Sequence, residues 1–128
     1  MNKKIYIKNV CAFLIDNGFS YLSYKNDNNT VFYYHFSKPD ISIIFYQDYR
    51  RECLALDIEK LSQKIFHMFG NYSESIEMFE GYNEMKEVLL KIYSEALSEG
   101  RLSLYDKYFK MVLDVYVKFL KQNLKKII

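Results

Sequence analysis

The stretch Thr30-Val31-Phe32-Tyr33-Tyr34-His35-Phe36-Ser37-Lys38-Pro39-Asp40-Ile41-Ser42-Ile43-Ile44-Phe45-Tyr46 decides the fold class. Its two apolar runs are dense in β-branched and aromatic residues, which fit a pleated, half-buried surface. Along the first run Val31, Tyr33 and His35 fall on one face of a strand and Phe32, Tyr34 and Phe36 on the other. The chain's only proline, Pro39, lies between the runs, where its fixed φ suits a turn and its missing N–H would break a ladder. So short a connection makes the two strands antiparallel neighbours, because a parallel pair needs a crossover of roughly a dozen residues.

Outward from this hairpin, residues 19–24 read as a preceding strand, set off by the turn formers Lys25-Asn26-Asp27-Asn28-Asn29. Downstream, Gln47-Asp48-Tyr49-Arg50 makes a second turn, and residues 52–58 form a further strand with Leu54, Leu56 and Ile58 facing one way. The sheet is therefore expected to be an antiparallel meander of three to four strands. Ahead of it, Ile7, Val10, Cys11, Leu14 and Ile15 recur at helical spacing, and Asn17-Gly18 supplies a left-handed stop. This predicts a helix over residues 3–17.

The hydrophobic period changes near Ile58. Leu61, Ile65, Met68 and Phe69 mark a short helix ending at Gly70, and Met85, Val88, Leu89, Ile92, Ala96 and Leu97 a long one ending near Gly100. Ser103 is placed to cap the last helix, whose apolar stripe runs from Tyr105 through Tyr108, Phe109, Val112, Tyr116 and Phe119 to Leu124. The expected class is α+β: an N-terminal helix, the meander, then two to three C-terminal helices packed on the sheet or on each other. Residues 1–128 form a single domain, sheet-rich over 1–58 and helical over 59–128.

Composition agrees with one packed domain: 128 residues, half of them hydrophobic, 27% charged, with four glycines. Disordered and collagen-like chains are excluded on these figures. Cys11 and Cys53 stand far apart inside apolar patterns and read as small buried hydrophobes of a reducing compartment. The run Val10-Cys11-Ala12-Phe13-Leu14-Ile15 behind Lys3, Lys4 and Lys8 is too short for an export signal or a membrane span. A cytoplasmic location without membrane attachment is the expectation. Thirteen Tyr and ten Phe are enough to build an interface, yet Lys, Asn, Ile, Tyr and Phe all have AT-rich codons, so low genomic GC content is the weightier explanation and the count alone decides nothing.

The formal charge of +2 conceals a segregation. From Tyr72 to Gly100, seven acids (Glu74, Glu77, Glu80, Glu84, Glu87, Glu95 and Glu99) face two lysines; from Arg101 onward seven bases face two aspartates. On a continuous helix, Glu74, Glu77, Glu80, Glu84 and Glu87 would line up as one negative stripe, although Gly81 weakens such a helix at its centre. The stripe is either a docking surface for a basic partner or one half of a seam neutralised by the basic last helix. Lys118, Lys121, Lys125 and Lys126 suit a helix C-terminus and come without base-reading side chains, which argues against nucleic acid.

Catalytic signatures are missing. His35 and His67 belong to no metal-ligand spacing, the glycines Gly18, Gly70, Gly81 and Gly100 make no phosphate loop, and Cys53 reads as a core thiol on a strand. No cofactor, metal or catalytic residue is expected. One polar cluster remains, Asp48-Tyr49-Arg50-Arg51-Glu52 at a sheet rim, which can either clamp a carboxylate or phosphate or stand solvated as a hairpin end.

The helix closing in Phe13-Leu14-Ile15-Asp16-Asn17-Gly18-Phe19, the strand Ile41-Ser42-Ile43-Ile44-Phe45-Tyr46 and the cluster Asp48-Tyr49-Arg50-Arg51-Glu52, followed by helices, resemble small single-domain immunity proteins of bacterial polymorphic toxin systems. The similarity covers about the first 60 residues and rests on arrangement. It implies a non-enzymatic cytoplasmic protein that binds and neutralises a cognate toxin, the partner being a basic toxin domain and an acidic surface its complement. The candidate partner-binding residues are Glu74, Glu77, Glu80, Glu84 and Glu87 together with Asp48, Tyr49 and Arg50. The alternative is a homo-oligomerising structural or regulatory protein, a homodimer joined by exposed Tyr and Phe side chains.

Overall fold

The computed structural model describes residues 1–51, 53–100 and 106–128. Asn2 opens the first helix, α1 (Lys3–Val10), its side-chain oxygen accepting the Ile5 N–H at 3.2 Å. The chain breaks at Cys11 and resumes as α2 (Ala12–Asp16), so two short helices stand where a single one over 3–17 is expected. The break does not disturb the apolar face, since Ile7, Cys11 and Leu14 are all fully buried.

Six strands follow: β1 (Ser20–Lys25), β2 (Val31–Lys38), β3 (Ile41–Asp48), β4 (Cys53–Lys60), β5 (Gln63–Phe69) and β6 (Tyr72–Ser75). Each pairs antiparallel with its neighbour in sequence, giving the order β1-β2-β3-β4-β5-β6. The class is α+β as expected, with a larger sheet than the three to four strands the sequence suggests. The helix expected over 61–70 is the strand β5, and the sheet-rich part continues to Ser75.

Two local features make β5 look helical. A bulge at Ile58/Glu59 places Lys64 opposite Glu59 but Phe66 opposite Ile58, so that Ile65, Phe66 and Met68 are all buried and the period-2 alternation is lost. The turn into β5 is Leu61-Ser62, both left-handed at φ 53° and 62°, between the paired Lys60 and Gln63. That is the two-residue geometry usually announced by Asn-Gly. Gly70, at φ 61°, then turns the hairpin from Phe69 to Tyr72 instead of ending a helix.

The last two helices are α3 (Tyr82–Glu99) and α4 (Asp106–Ile127). The continuous helix assumed for the glutamate stripe does not form. Glu74 lies in β6, Glu77 and Glu80 in the connection that follows, and only Glu84 and Glu87 in α3. Gly81 is the break: its φ of 74° is left-handed, and a Cβ there would stand 2.6 Å from Gln122 Oε1. Asn123 of α4 fixes the same connection, accepting from the Glu80 N–H at 2.7 Å and donating to the Glu80 carbonyl at 2.9 Å. The Ser103 cap and Tyr105 lie outside the described residues.

All four helices share one core with one face of the sheet. Ile7, Cys11 and Leu14, Phe36, Phe45, Leu54, Leu56 and Phe66 from the strands, and Leu89, Tyr116 and Phe119 from α3 and α4 belong to a single buried cluster. Rings mesh across it: Phe45 with Tyr116 at 6.2 Å and Phe66 with Phe119 at 5.0 Å. Two phenols reach the same backbone oxygen, as Tyr93 Oη donates to the Leu54 carbonyl at 3.0 Å and Tyr116 Oη at 2.8 Å. No described helix is long and apolar enough to cross a membrane.

The double substitution Leu61→Asn/Ser62→Gly should raise stability by about 1 kcal/mol, because it relieves left-handed strain at residues without that preference. Leu61 is 71% exposed, so little packing is lost, and a higher urea midpoint at unchanged slope is the expected reading. At the Leu54 carbonyl, Tyr93→Phe or Tyr116→Phe alone should cost about 1 kcal/mol. The double variant should cost more than the sum, since the oxygen then loses both donors, and urea denaturation of the four proteins gives the coupling directly.

Candidate functional site

The strand residues that alternate with the core positions form a second side-chain layer on the opposite face, which no described element covers. Tyr24, Tyr33, His35, Ile44, Tyr46, Asp57 and His67 are absent from the buried cluster. Register brings them together in rows: Leu22, His35, Ile44, Asp57, His67 and Glu74 succeed one another across the six strands. Two residues along each strand, on the same face, Tyr24 pairs with Tyr33, Tyr33 with Tyr46 and Tyr46 with Ala55.

That second row is a chain of aromatic rings. Tyr24 stacks on Tyr33 at 4.9 Å, Tyr33 meets Tyr46 at 5.9 Å, and Tyr46 reaches Phe69 at 6.0 Å. Ala55 makes the last contact possible, because the methyl group of β4 leaves room for the rings of β3 and β5 to touch above it. His67 extends the series, 6.3 Å from Phe69 and 5.7 Å from Tyr72. Tyr24 and Tyr72 are exposed at the two ends, beside an exposed Leu22 on β1.

The polar groups of this face are paired with one another. Asp57, 7% exposed, accepts from His67 Nδ1 at 2.5 Å and binds Lys64 Nζ at 3.2 Å. The hydrogen bond to Asp57 fixes the orientation of the His67 ring. His35 Nε2 lies 3.0 Å from Ser42 Oγ, and its Nδ1 3.4 Å from Tyr24 Oη. Burial lowers the His35 pKa, with Glu59 pulling the other way. Burial, and after it the Asp57 carboxylate, push the Tyr46 phenol well above its ordinary range, so it stays protonated. Among the described residues, no three His, Cys, Asp or Glu side chains gather to hold a metal ion.

The residues singled out from sequence are distributed otherwise. Glu74 stands on the open face opposite His67, and Tyr72 Oη donates to its carboxylate. Glu77, Glu80, Glu84 and Glu87 leave this face for the connection and α3, and among the described residues none of the five glutamates forms a salt bridge. Asp48 is buried at the end of β3; burial raises its pKa, but bonds from the Arg50 side chain and backbone N–H outweigh this and hold it below the usual carboxylate range. Arg50 is thus engaged, its Nε 3.1 Å from Asp48. Tyr49 turns to the helix side, where its hydroxyl accepts from Lys3 Nζ at 2.9 Å and its ring meets Phe32 at 5.3 Å.

Sequence alternation places Tyr33 and His35 on a common face, and the structure puts both on the open one. Tyr46 joins them through the β2–β3 pairing, whereas Phe69 and Tyr72 do so only once β5 and β6 are strands. Compared with known proteins, the chain matches no family model, no curated sequence and no solved structure.

A His whose pKa falls on folding binds its proton more tightly in the unfolded chain. The stability it contributes is whole above its ordinary value of 6.5 and is lost as pH falls through the lower folded value. Tyr24, Ser42 and Glu59 are the groups facing it. The stability advantage of the wild type over His35→Asn should therefore shrink between about pH 7.5 and about pH 5, as read from urea midpoints. A difference independent of pH would contradict a depressed His35.

Proposed function

We propose that this chain is a non-enzymatic protein-binding module whose contact surface is the uncovered face of the sheet. One observation carries the reading: an aromatic row runs from Tyr24 through Tyr33, Tyr46 and Phe69 to Tyr72, outside the core and with no described element over it. Tyrosine presents large, rigid area at low entropic cost and is enriched where proteins dock. Satisfied polar pairs beside the row, Asp57 with His67 and His35 with Ser42, let such a face be covered without stranding a charge.

The partner we favour is a basic protein. Glu74 closes the open face at β6 and Glu77 follows in the connection, neither in a salt bridge among the described residues, so a cationic rim on the partner would meet carboxylates that no cation of the described residues holds. Neutralisation of a cognate bacterial toxin in the cytoplasm is the narrower form of this proposal, supported by the resemblance to immunity proteins and by this acidic edge. Self-association is the second reading, favoured by the exposure of Leu22 and Tyr24 on the edge strand β1.

The test uses tagged wild type and the surface variant Tyr24→Ser/Tyr33→Ser/Tyr72→Ser, both checked for cooperative unfolding. Wild type should retain a basic protein at 1:1 stoichiometry, releasing it at high salt, and should relieve the growth arrest that this protein causes when expressed alone. The variant should do neither. Retention by the variant would move the interface off the sheet. Capture of the chain's own copies, with a dimer mass by light scattering, would select the second reading.

A further inference from the structure

Where the β3–β4 and β5–β6 turns approach α3, two cavities of about 540 Å³ and about 380 Å³ share Arg51, Cys53, Gly70 and Asn71. The first opens past Arg50 and Phe69, and the second runs along Leu90, Tyr93, Ala96 and Leu97 of α3. They form one groove with a cationic waist and an apolar arm.

Arg51 is the group that stands out. Its guanidinium sits over the Phe69 ring at 5.8 Å, is exposed, and makes no ion pair among the described residues. The nearby Asp48 carboxylate is already held by Arg50 through two bonds at 3.1 and 3.2 Å. Among the described residues, Arg51 therefore brings to the waist a positive charge without an ion-pair partner, with the Asn71 amide lining the same space. Along the apolar arm, Leu90 is 49% and Leu97 69% exposed, hydrocarbon that the fold leaves in water.

We propose that this groove binds a small aliphatic carboxylate, its head on Arg51 and its tail against Leu90, Tyr93 and Leu97. A guanidinium matches the planar carboxylate with two parallel hydrogen bonds, and stacking on Phe69 pre-orients the fork. The balance of charge among the described residues favours a monoanion: Arg50 is taken up by Asp48, so a phosphate dianion would face one cation that has no ion pair. The tail supplies the rest of the binding by covering exposed leucine surface. This site stands apart from the protein-docking reading of the open face, with which it shares only Phe69.

Calorimetric titration of the full chain with decanoate, 1-decanol, acetate and inorganic phosphate, each below its solubility limit, tests it. Decanoate should bind about tenfold or more tighter than the other three, because each lacks either the head, the tail or the matching charge. Arg51→Met should bring decanoate down to the level of decanol, and Leu97→Asp, on an exposed rim, should weaken decanoate while leaving acetate unchanged. Absence of decanoate binding, equal binding of decanoate and decanol, phosphate as tight as decanoate, or an Arg51→Met variant that still discriminates would each overturn the proposal. None of these results depends on a protein partner.

Discussion

The carbonyl of Leu54 receives phenols from two different helices, and the division of the molecule into a covered and an uncovered sheet face hangs on that junction. Tyr93 of α3 and Tyr116 of α4 meet there just past the end of the β4–β5 ladder, whose last pair is Leu56 with Met68. Burial drives both phenols to higher pKa, so they remain donors throughout the neutral range. With the two long helices pinned to this side of β4, α1 and α2 fill the space over the earlier strands through Ile7, Cys11 and Leu14. Nothing described is left over to cover the other side.

Tyrosine consequently has two separate employments in one chain. Tyr108 and Tyr116 are almost wholly buried and act as large hydrophobes with a polar tip, whereas Tyr24, Tyr33 and Tyr46 are tiled across strands where a partner can reach them. A codon-driven abundance of tyrosine does not distinguish these cases. Position does: residues on the core parity enter the cluster around Phe45 and Phe66, and residues on the opposite parity form the row. The alternation of β2 therefore sorts its aromatics, with Tyr34 and Phe36 inward and Tyr33 outward.

The sequence was most legible where local signals agree, as in the hairpin around Pro39, the alternation of Leu54, Leu56 and Ile58, and the periodic faces of α3 and α4. It misled where one tertiary feature overrode them. The bulge beside Ile58 puts both Ile65 and Phe66 on buried sites, which imitates a helical period, and Leu61-Ser62 carries a tight turn without turn residues. From the misreading of β5 follow the missing strands and the absence of Phe69 and Tyr72 from the aromatic row, while the glutamate stripe fails separately at the left-handed Gly81. Asp57 beside His67 was equally invisible, since a pair across β4 and β5 cannot be drawn while one partner is placed on a helix. Tyr49 was out of reach for another reason: only the tertiary fold brings Lys3 to it from 46 positions away.

Pairing every strand with its immediate successor also sets an order of events in time. Hairpins close short loops and need little long-range search, so the meander can assemble early and from its N-terminal end as the chain is synthesised. Its apolar face, however, is sealed in large part by α4, which emerges after all six strands and α3. Until then the core face is covered only in part, by α1, α2 and α3, and the other face shows its tyrosines. The nascent chain thus passes through a state that is sticky on two sides, and its solubility in that interval depends on how soon the 22-residue α4 folds down.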